Sequence, residues 1–322
     1  MRQFAKPTIV VSKCLEFDAC RYNGEMIPDV TIRNLQPFVT FIPVCPEVEI
    51  GLGTPRETIR IVEENGENRL VQPSTREDVT EKMEQFSNDF LQTISDVDGF
   101  ILKNRSPSCG TRDVKIYSGF EKAPAKGKGS GLFGGVVVKK FSHLPIEEEG
   151  RLSNFIIREH FFTRLFTIAY YKMIKHNKNM KDLVSFQSDN KYLFMAYNQV
   201  KQKELGRIIA NHKNEKIEVV FENYEKTLYE LFMRTPRYTS NVNVCEHIFG
   251  YFKTKLKKQE KDHFIELLQK YAEKKIPLSS LLTILKSWAI RFDEKYLLRQ
   301  TYFEPYPEAL VEISDSGKGR DY

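Results

Sequence analysis

The sequence predicts an α/β N-terminal domain on a mainly parallel sheet, followed by an all-α C-terminal domain. Three observations predict it. Short β-branched runs alternate with helical periodicity over the first 145 residues. Three of those runs end in a loop carrying a cysteine: Cys14, Cys45 and Cys109. Beyond residue 150 apolar residues recur at helical spacing, and strand signals are scarce. The expected division is 1–145, 150–312 and a flexible polar tail at 313–322.

In chain order, Thr8–Val11 is a strand run with Cys14 just beyond it. Phe38–Val44 is a second, followed directly by Cys45 and a turn-rich loop over 46–57. Residues 60–62 and 69–71 flank Glu-Asn-Gly-Glu-Asn, a hairpin signal because Asn-Gly tolerates a left-handed turn. Ser74 and Glu77 have capping-box spacing, with Thr75 as the alternative cap. Met83, Phe86, Phe90, Leu91 and Ile94 then recur as the core face of a helix. Strand 99–102 leads into the loop of Cys109, a Gly/Lys loop spans 126–135, and Val136–Val138 is read as a further strand. His143–Arg151, acidic and broken by Pro and Gly, is the expected domain boundary. Helices are expected at 193–212, 215–233, 243–258, 260–274 and 278–300.

No stretch reaches the ~18 uninterrupted apolar residues a membrane span needs, and Met1 runs almost directly into a strand. A cytoplasmic protein is expected, without membrane association and without an obligate protein partner. Five cysteines in a long chain do not form a secreted disulfide framework; four of them fall within the first 109 residues. Residues 1–150 hold 19 Lys+Arg against 22 Asp+Glu, whereas 151–322 hold 30 against 21. This asymmetry suggests chemistry in the first half and a polyanion partner for the second, a solvated helical surface being the plainer alternative.

In parallel sheets ligands sit beyond the carboxyl ends of the strands, where Cys14, Cys45 and Cys109 all fall. Their spacings of 31 and 64 exclude zinc ribbons and the tight ferredoxin run. A cluster held by three thiolates, with one iron open to a substrate atom, tolerates wide spacing; buried unligated cysteines are the competing reading. Cys20 is a spare thiol or a fourth ligand, and Cys245 belongs to a helical core. Gly51-Leu52-Gly53 and residues 127–131 lack the strand–loop–helix context of nucleotide-binding loops.

Ser12–Gly24, Pro43–Glu57 and Lys103–Gly110 resemble the three signatures of the thiouracil desulfidase family, over about residues 7–142. Residues 150–312 resemble the YbgA-type domain, through Arg158-Glu159, His247–Lys253 and Tyr296–Pro307. The combination is similar to bacterial tRNA 4-thiouridine desulfidases. The resemblance implies that Cys14, Cys45 and Cys109 bind a [4Fe-4S] cluster with one open iron, and that Glu47 and Ser106 are catalytic. Desulfuration of 4-thiouridine in tRNA to uridine, hydrolytic and without net redox change, is the implied activity. Glu16-Phe17-Asp18 departs from the family, which commonly has a glycine there. RNA would be held through phosphate contacts, with Lys201, Lys203, Arg207, Lys213, Lys253, Lys255, Lys257 and Lys258 as candidates. The alternatives are a desulfidase for free thiouracil-like bases and a non-enzymatic RNA-binding protein with a structural metal.

Overall fold

The computed structural model describes residues 2–94, 96–120 and 124–312; the tail expected to be flexible, 313–322, lies outside them. The chain divides into two compact units. The first runs to Ala169 and takes back the chain from Ala309; the second is Tyr170–Glu308.

The first unit contains two sheets. One joins β1 (Thr8–Ser12), β2 (Thr40–Val44), β6 (Gly99–Leu102) and β9 (Ile146–Glu148) in the order β2-β1-β6-β9, all parallel. Ile9, Val10, Val11, Phe100, Ile101 and Leu102 are fully buried. Central parallel strands are covered on both faces, so they read as unbroken apolar runs. The second sheet was not expected. It joins β3 (Arg60–Glu64), β4 (Glu67–Gln72), β5 (Glu77–Asp78), β7 (Val114–Tyr117) and β8 (Ala125–Gly129) in the order β5-β4-β3-β7-β8, mostly antiparallel. The expected hairpin is β3–β4, with Asn65 and Gly66 both at positive φ in its turn.

Helices of this unit are α1 (Val30–Leu35), α2 (Pro46–Glu49), α3 (Thr80–Thr93), α4 (Leu132–Phe141) and α5 (Glu149–Leu152). Two local expectations fail. The capping box is not formed, because Glu77 and Asp78 pair with β4; Thr75 Oγ1 instead stabilises a turn, and Asp78 Oδ1 accepts from Thr80 N–H at 2.9 Å. Val136–Val138 lie in α4, not in a strand. Phe133, Gly134 and Val137 fall on one buried helical face, and Phe133 packs near Phe86 and Phe90 of α3. That packing overrides the weak strand preference of three valines. The stretch 143–151 supplies β9 and the start of α5.

The border between the units falls inside α6 (Phe155–Asn177). The second unit continues with α7 (Met180–Asp189), α8 (Lys191–Tyr197), α9 (Gln199–Ala210), α10 (Ile217–Leu231), α11 (Tyr238–Gly250), α12 (Lys258–Ala272), α13 (Leu278–Arg291) and α14 (Lys295–Leu298). Among its described residues there is no strand. The expected helix 193–212 is two helices, because Asn198 breaks it and caps α9 through the Val200 and Lys201 amides. Its core is rich in aromatic residues, including Tyr171, Phe186, Tyr224, Phe249, Phe264 and Trp288. Cys245 lies in that core, fully buried beside Tyr302. No helix among the described residues is long and apolar enough to cross a membrane.

Candidate active site

The strand order brings the three cysteine loops together. β2, β1 and β6 are parallel neighbours, so Cys14, Cys45 and Cys109 all lie beyond the carboxyl edge of one sheet. Lys13 N–H donates to Val44 O, and Ile27 N–H to Cys14 O, both at 2.8 Å, fixing the first loop. Cys45 precedes α2, with Pro46 at the first helical position, where its missing N–H costs nothing.

The loop 103–110 is held from three sides. Ser106 Oγ accepts from the Cys109 amide at 3.1 Å. The first turn of α4 docks on it, with Leu132 N–H donating to Pro107 O at 3.1 Å and Gly134 N–H to Ser108 O at 2.9 Å. A Cβ on Gly134 would stand 2.4 Å from the Cys109 and Gly110 carbonyl oxygens, so this approach requires glycine. On the third side Glu148 Oε1 accepts from the Thr111 and Arg112 amides, while Glu149 accepts from Asn104 N–H at 2.7 Å and pairs with Lys103.

Burial, then the charge of Cys45, pushes the Cys14 thiol up to about 12. Burial also raises Cys109 well above its ordinary value, with Cys14 and Cys45 adding to it against a hydrogen bond with Ser12. Cys14 and Cys109, soft donors whose ionisation burial and their cysteine neighbours oppose, suit a cationic metal body together with Cys45, since coordination deprotonates a thiol outright. Among the described residues no three His, Cys, Asp or Glu groups close up as ligands of a single ion do. Cys20 is buried against Cys45, whose Sγ lies 3.8 Å from the Cys20 carbonyl oxygen.

Glu47 and Ser106 are joined by Ser108, and Arg56 holds Glu47 from its other side; sequence reasoning missed both residues. Arg56 Nε and Nη2 donate to Glu47 Oε2 at 2.9 and 2.5 Å. Ser108 Oγ donates to Glu47 Oε1 at 2.6 Å and lies 2.9 Å from Ser106 Oγ. A continuous chain, Arg56–Glu47–Ser108–Ser106, thus runs along the cysteine edge. Arg56 also donates to the carbonyls of Cys20 and Gly53, at 3.0 and 2.8 Å, tying the first two loops together. The signal for Ser108 was its place between Pro107 and Cys109; Arg56 had only its position in the turn-rich loop.

The basic candidates all lie in the second unit. Lys201 pairs with Glu204 and Glu230, and Lys255 with Glu294, so their charge is largely answered within the protein. Lys203, Arg207, Lys213, Lys253, Lys257 and Lys258 are exposed. Lys253 and Lys255 lie in the turns after α11, which ends at Gly250 and not at 258 as expected, and Lys257 is the N-cap residue of α12.

Residues 9–149 match the family model described as 2-thiouracil desulfurase. The uncharacterized protein YbbK of Bacillus subtilis (strain 168) is 36% identical over 118 residues, covering 34% of this chain and 77% of its own length. The chain belongs to the 2-thiouracil desulfurase family. It is accordingly a desulfidase-family protein whose substrate class is thiouracil-like bases. The match spans the parallel sheet and all three cysteine loops. Residues 191–307 match DUF1722, a family of unknown function. The uncharacterized protein YbgA of Escherichia coli (strain K12) is 23% identical over 156 residues, or 48% of this chain and 92% of its own. Among solved structures, a [4Fe-4S]-dependent thiouracil desulfidase, TudS, is 24% identical, covering 46% of this chain and 93% of its own, with a TM-score of 0.36.

Proposed function

We propose that the protein removes sulfur from 4-thiouridine in cytoplasmic tRNA, giving uridine. The observation that carries this reading is the meeting of three cysteine loops and the Arg56–Glu47–Ser108–Ser106 chain at one sheet edge. Cys14, Cys45 and Cys109 would hold a [4Fe-4S] cluster, three protein ligands leaving one iron open. When bound, the cluster supplies a soft Lewis-acidic position for the thiocarbonyl sulfur.

The chain's own residues handle water and protons. Glu47 is the general base for a water attacking C4. A carboxylate offers about four lone-pair sites, so Oε1 can accept from both Ser108 and that water. Arg56 fixes the carboxylate plane by donating twice to Oε2. Ser106, next in the chain, turns its one hydroxyl proton from Ser108 Oγ to the ring or to the developing charge at C4, while its oxygen goes on accepting from the Cys109 amide. The water oxygen stays on C4, the C–S bond breaks, and both water protons end on the departing sulfide or on Glu47. No electrons are exchanged overall. The excess of basic residues in 151–322 supports a polyanionic substrate. A second reading, turnover of free thiobases, is favoured by the description of the matching family.

Anaerobic reconstitution, incubation with thiolated tRNA and with free 2-thiouracil, and nucleoside analysis test both readings. Uridine formed in tRNA is expected; turnover of the free base alone would give the second reading. Cys45→Ser is expected to lose bound iron, and retention of both iron and activity would overturn the three-thiolate site.

A further inference from the structure

The loop of Cys109 presents two sets of side chains. Ser106 and Ser108 engage the Glu47 chain, whereas Arg105 and Pro107 line a separate groove of about 460 Å³. Arg60, four residues beyond Arg56, lines it too, and β7 and β8 contribute Lys115, Tyr117 and Lys128. The groove and the proton chain therefore share a loop, and successive residues of that loop are only about 3.8 Å apart along the Cα trace.

The groove is cationic by construction. Four lining residues are Arg or Lys, and Asp113 is the one acid among them, 3.0 Å from Lys128. Lys115 and Lys128 are direct partners in the β7–β8 register. Arg60 precedes Ile61, whose partner Ile116 follows Lys115, so a third cation stands in the same row. Like charges placed opposite one another destabilise a sheet; Asp113 offsets part of this at Lys128, and an anion in the groove would offset more. Arg105 adds a second mark: it is exposed at φ 57°, a backbone region that glycine occupies more easily. The Arg60 guanidinium lies 4.9 Å from the Tyr117 ring centroid, forming a flat platform beside the cations.

We propose that this groove binds the phosphate of a nucleotide whose base reaches the Glu47–Ser108 end of the site. The inference rests on the nucleobase reading above and locates a nucleotide contact in the first unit, apart from the lysines of the second. A free nucleotide monophosphate and a phosphodiester in an RNA strand present the same oxyanions, which arginine forks bind bidentately. In a strand, the Arg60–Tyr117 platform would also take a neighbouring base by stacking.

The test titrates the full-length protein with a fluorescent, sulfur-free oligouridylate at low and physiological salt, with uridine 5′-monophosphate and uridine as competitors. Salt-sensitive binding is expected. Lys115→Glu and Arg105→Glu should each weaken it several-fold and lower the salt slope by about 0.7 per lost phosphate contact. Lys82→Glu, at an exposed position of α3 and equally charge-reversing, should leave it unchanged. Arg105→Gly, which suits the positive φ, and Lys115→Gln keep the test valid if a reversal fails to fold. Competition by the monophosphate but not by uridine supports a site open to both phosphate sources; groove variants that weaken the oligonucleotide without such competition assign the site to the phosphodiester alone. Groove variants that bind like wild type, or that weaken binding no more than Lys82→Glu, would overturn the proposal. So would uridine competing as well as its monophosphate. The ligand contains no sulfur and the assay needs no cluster, so failure of desulfuration and failure of the groove are separate results.

Discussion

Glu47 has both carboxylate oxygens engaged, and its partner Arg56 is almost wholly shielded, with side-chain exposures of 12% and 4%. Removing one member of such a pair strands the other charge, so Arg56→Ala should cost about 3–5 kcal/mol. Adding Glu47→Gln should restore part of that loss, with a coupling of about 1 kcal/mol or more in urea unfolding of the four proteins. Strict additivity would show that the pair is not coupled. Glu16 makes the second residue-scale case. It stands at φ 68°, a region that glycine occupies more easily, and its carboxylate accepts from Arg33 Nη2 at 2.8 Å and from the Asp29 amide. Glu16→Ala keeps the strained backbone and loses both bonds, whereas Glu16→Gly relieves about 1 kcal/mol of it; thermal unfolding should therefore rank wild type above glycine and glycine above alanine. Burial would raise this carboxyl, but Arg33 and the Asp29 amide outweigh it and hold it below its ordinary value. Its contribution is thus complete above the unfolded-state carboxylate range and is lost as pH falls through the folded value. The cysteines were legible because a thiol among turn formers after a strand is unusual. Arg56 and Ser108 were not, because an arginine and a serine in loops carry no periodicity.

At the scale of elements, the site depends on α4 as much as on the strands. Its first turn donates amides to the Cys109 loop, and Gly134 permits the contact. Gly134→Ala should cost about 1–3 kcal/mol through forced displacement, and should also lower iron bound per chain after reconstitution. Gly250→Ala, with no atom within 4 Å of the added methyl, is the matched control for the thermal melt and the iron assay. Equal iron loading of Gly134→Ala and wild type would separate α4 from the site. The strands and the Asn-Gly hairpin were readable from local pattern and turn chemistry. Helix α4 was not, because three consecutive valines look like a strand until the Phe86–Phe90–Phe133 cluster is known. The contacts of the acidic run 147–149 were likewise not readable, since its partners, Lys103, Asn104, Thr111 and Arg112, lie about 40 residues away in sequence.

At the scale of the whole molecule, charge is divided along the chain, with an acidic first half and a basic second. If the basic half serves substrate capture, it should matter for a polyanion and not for an uncharged base. Lys253 and Lys257 are the sharpest probes, because both are exposed, whereas Lys255 and Lys201 are held by Glu294 and Glu204. Phosphate contacts release counterions, so kcat/KM for thiolated tRNA should fall with salt while turnover of 2-thiouracil stays nearly flat. Lys253→Glu with Lys257→Glu should reduce that salt slope by about 0.9 for each duplex phosphate contact removed, and leave free-base turnover as it was. Steady-state kinetics at several salt concentrations on both substrates decide it. Parallel losses on the two substrates would mean that the lysines support folding and not capture; an unchanged slope would show that neither Lys253 nor Lys257 meets a phosphate.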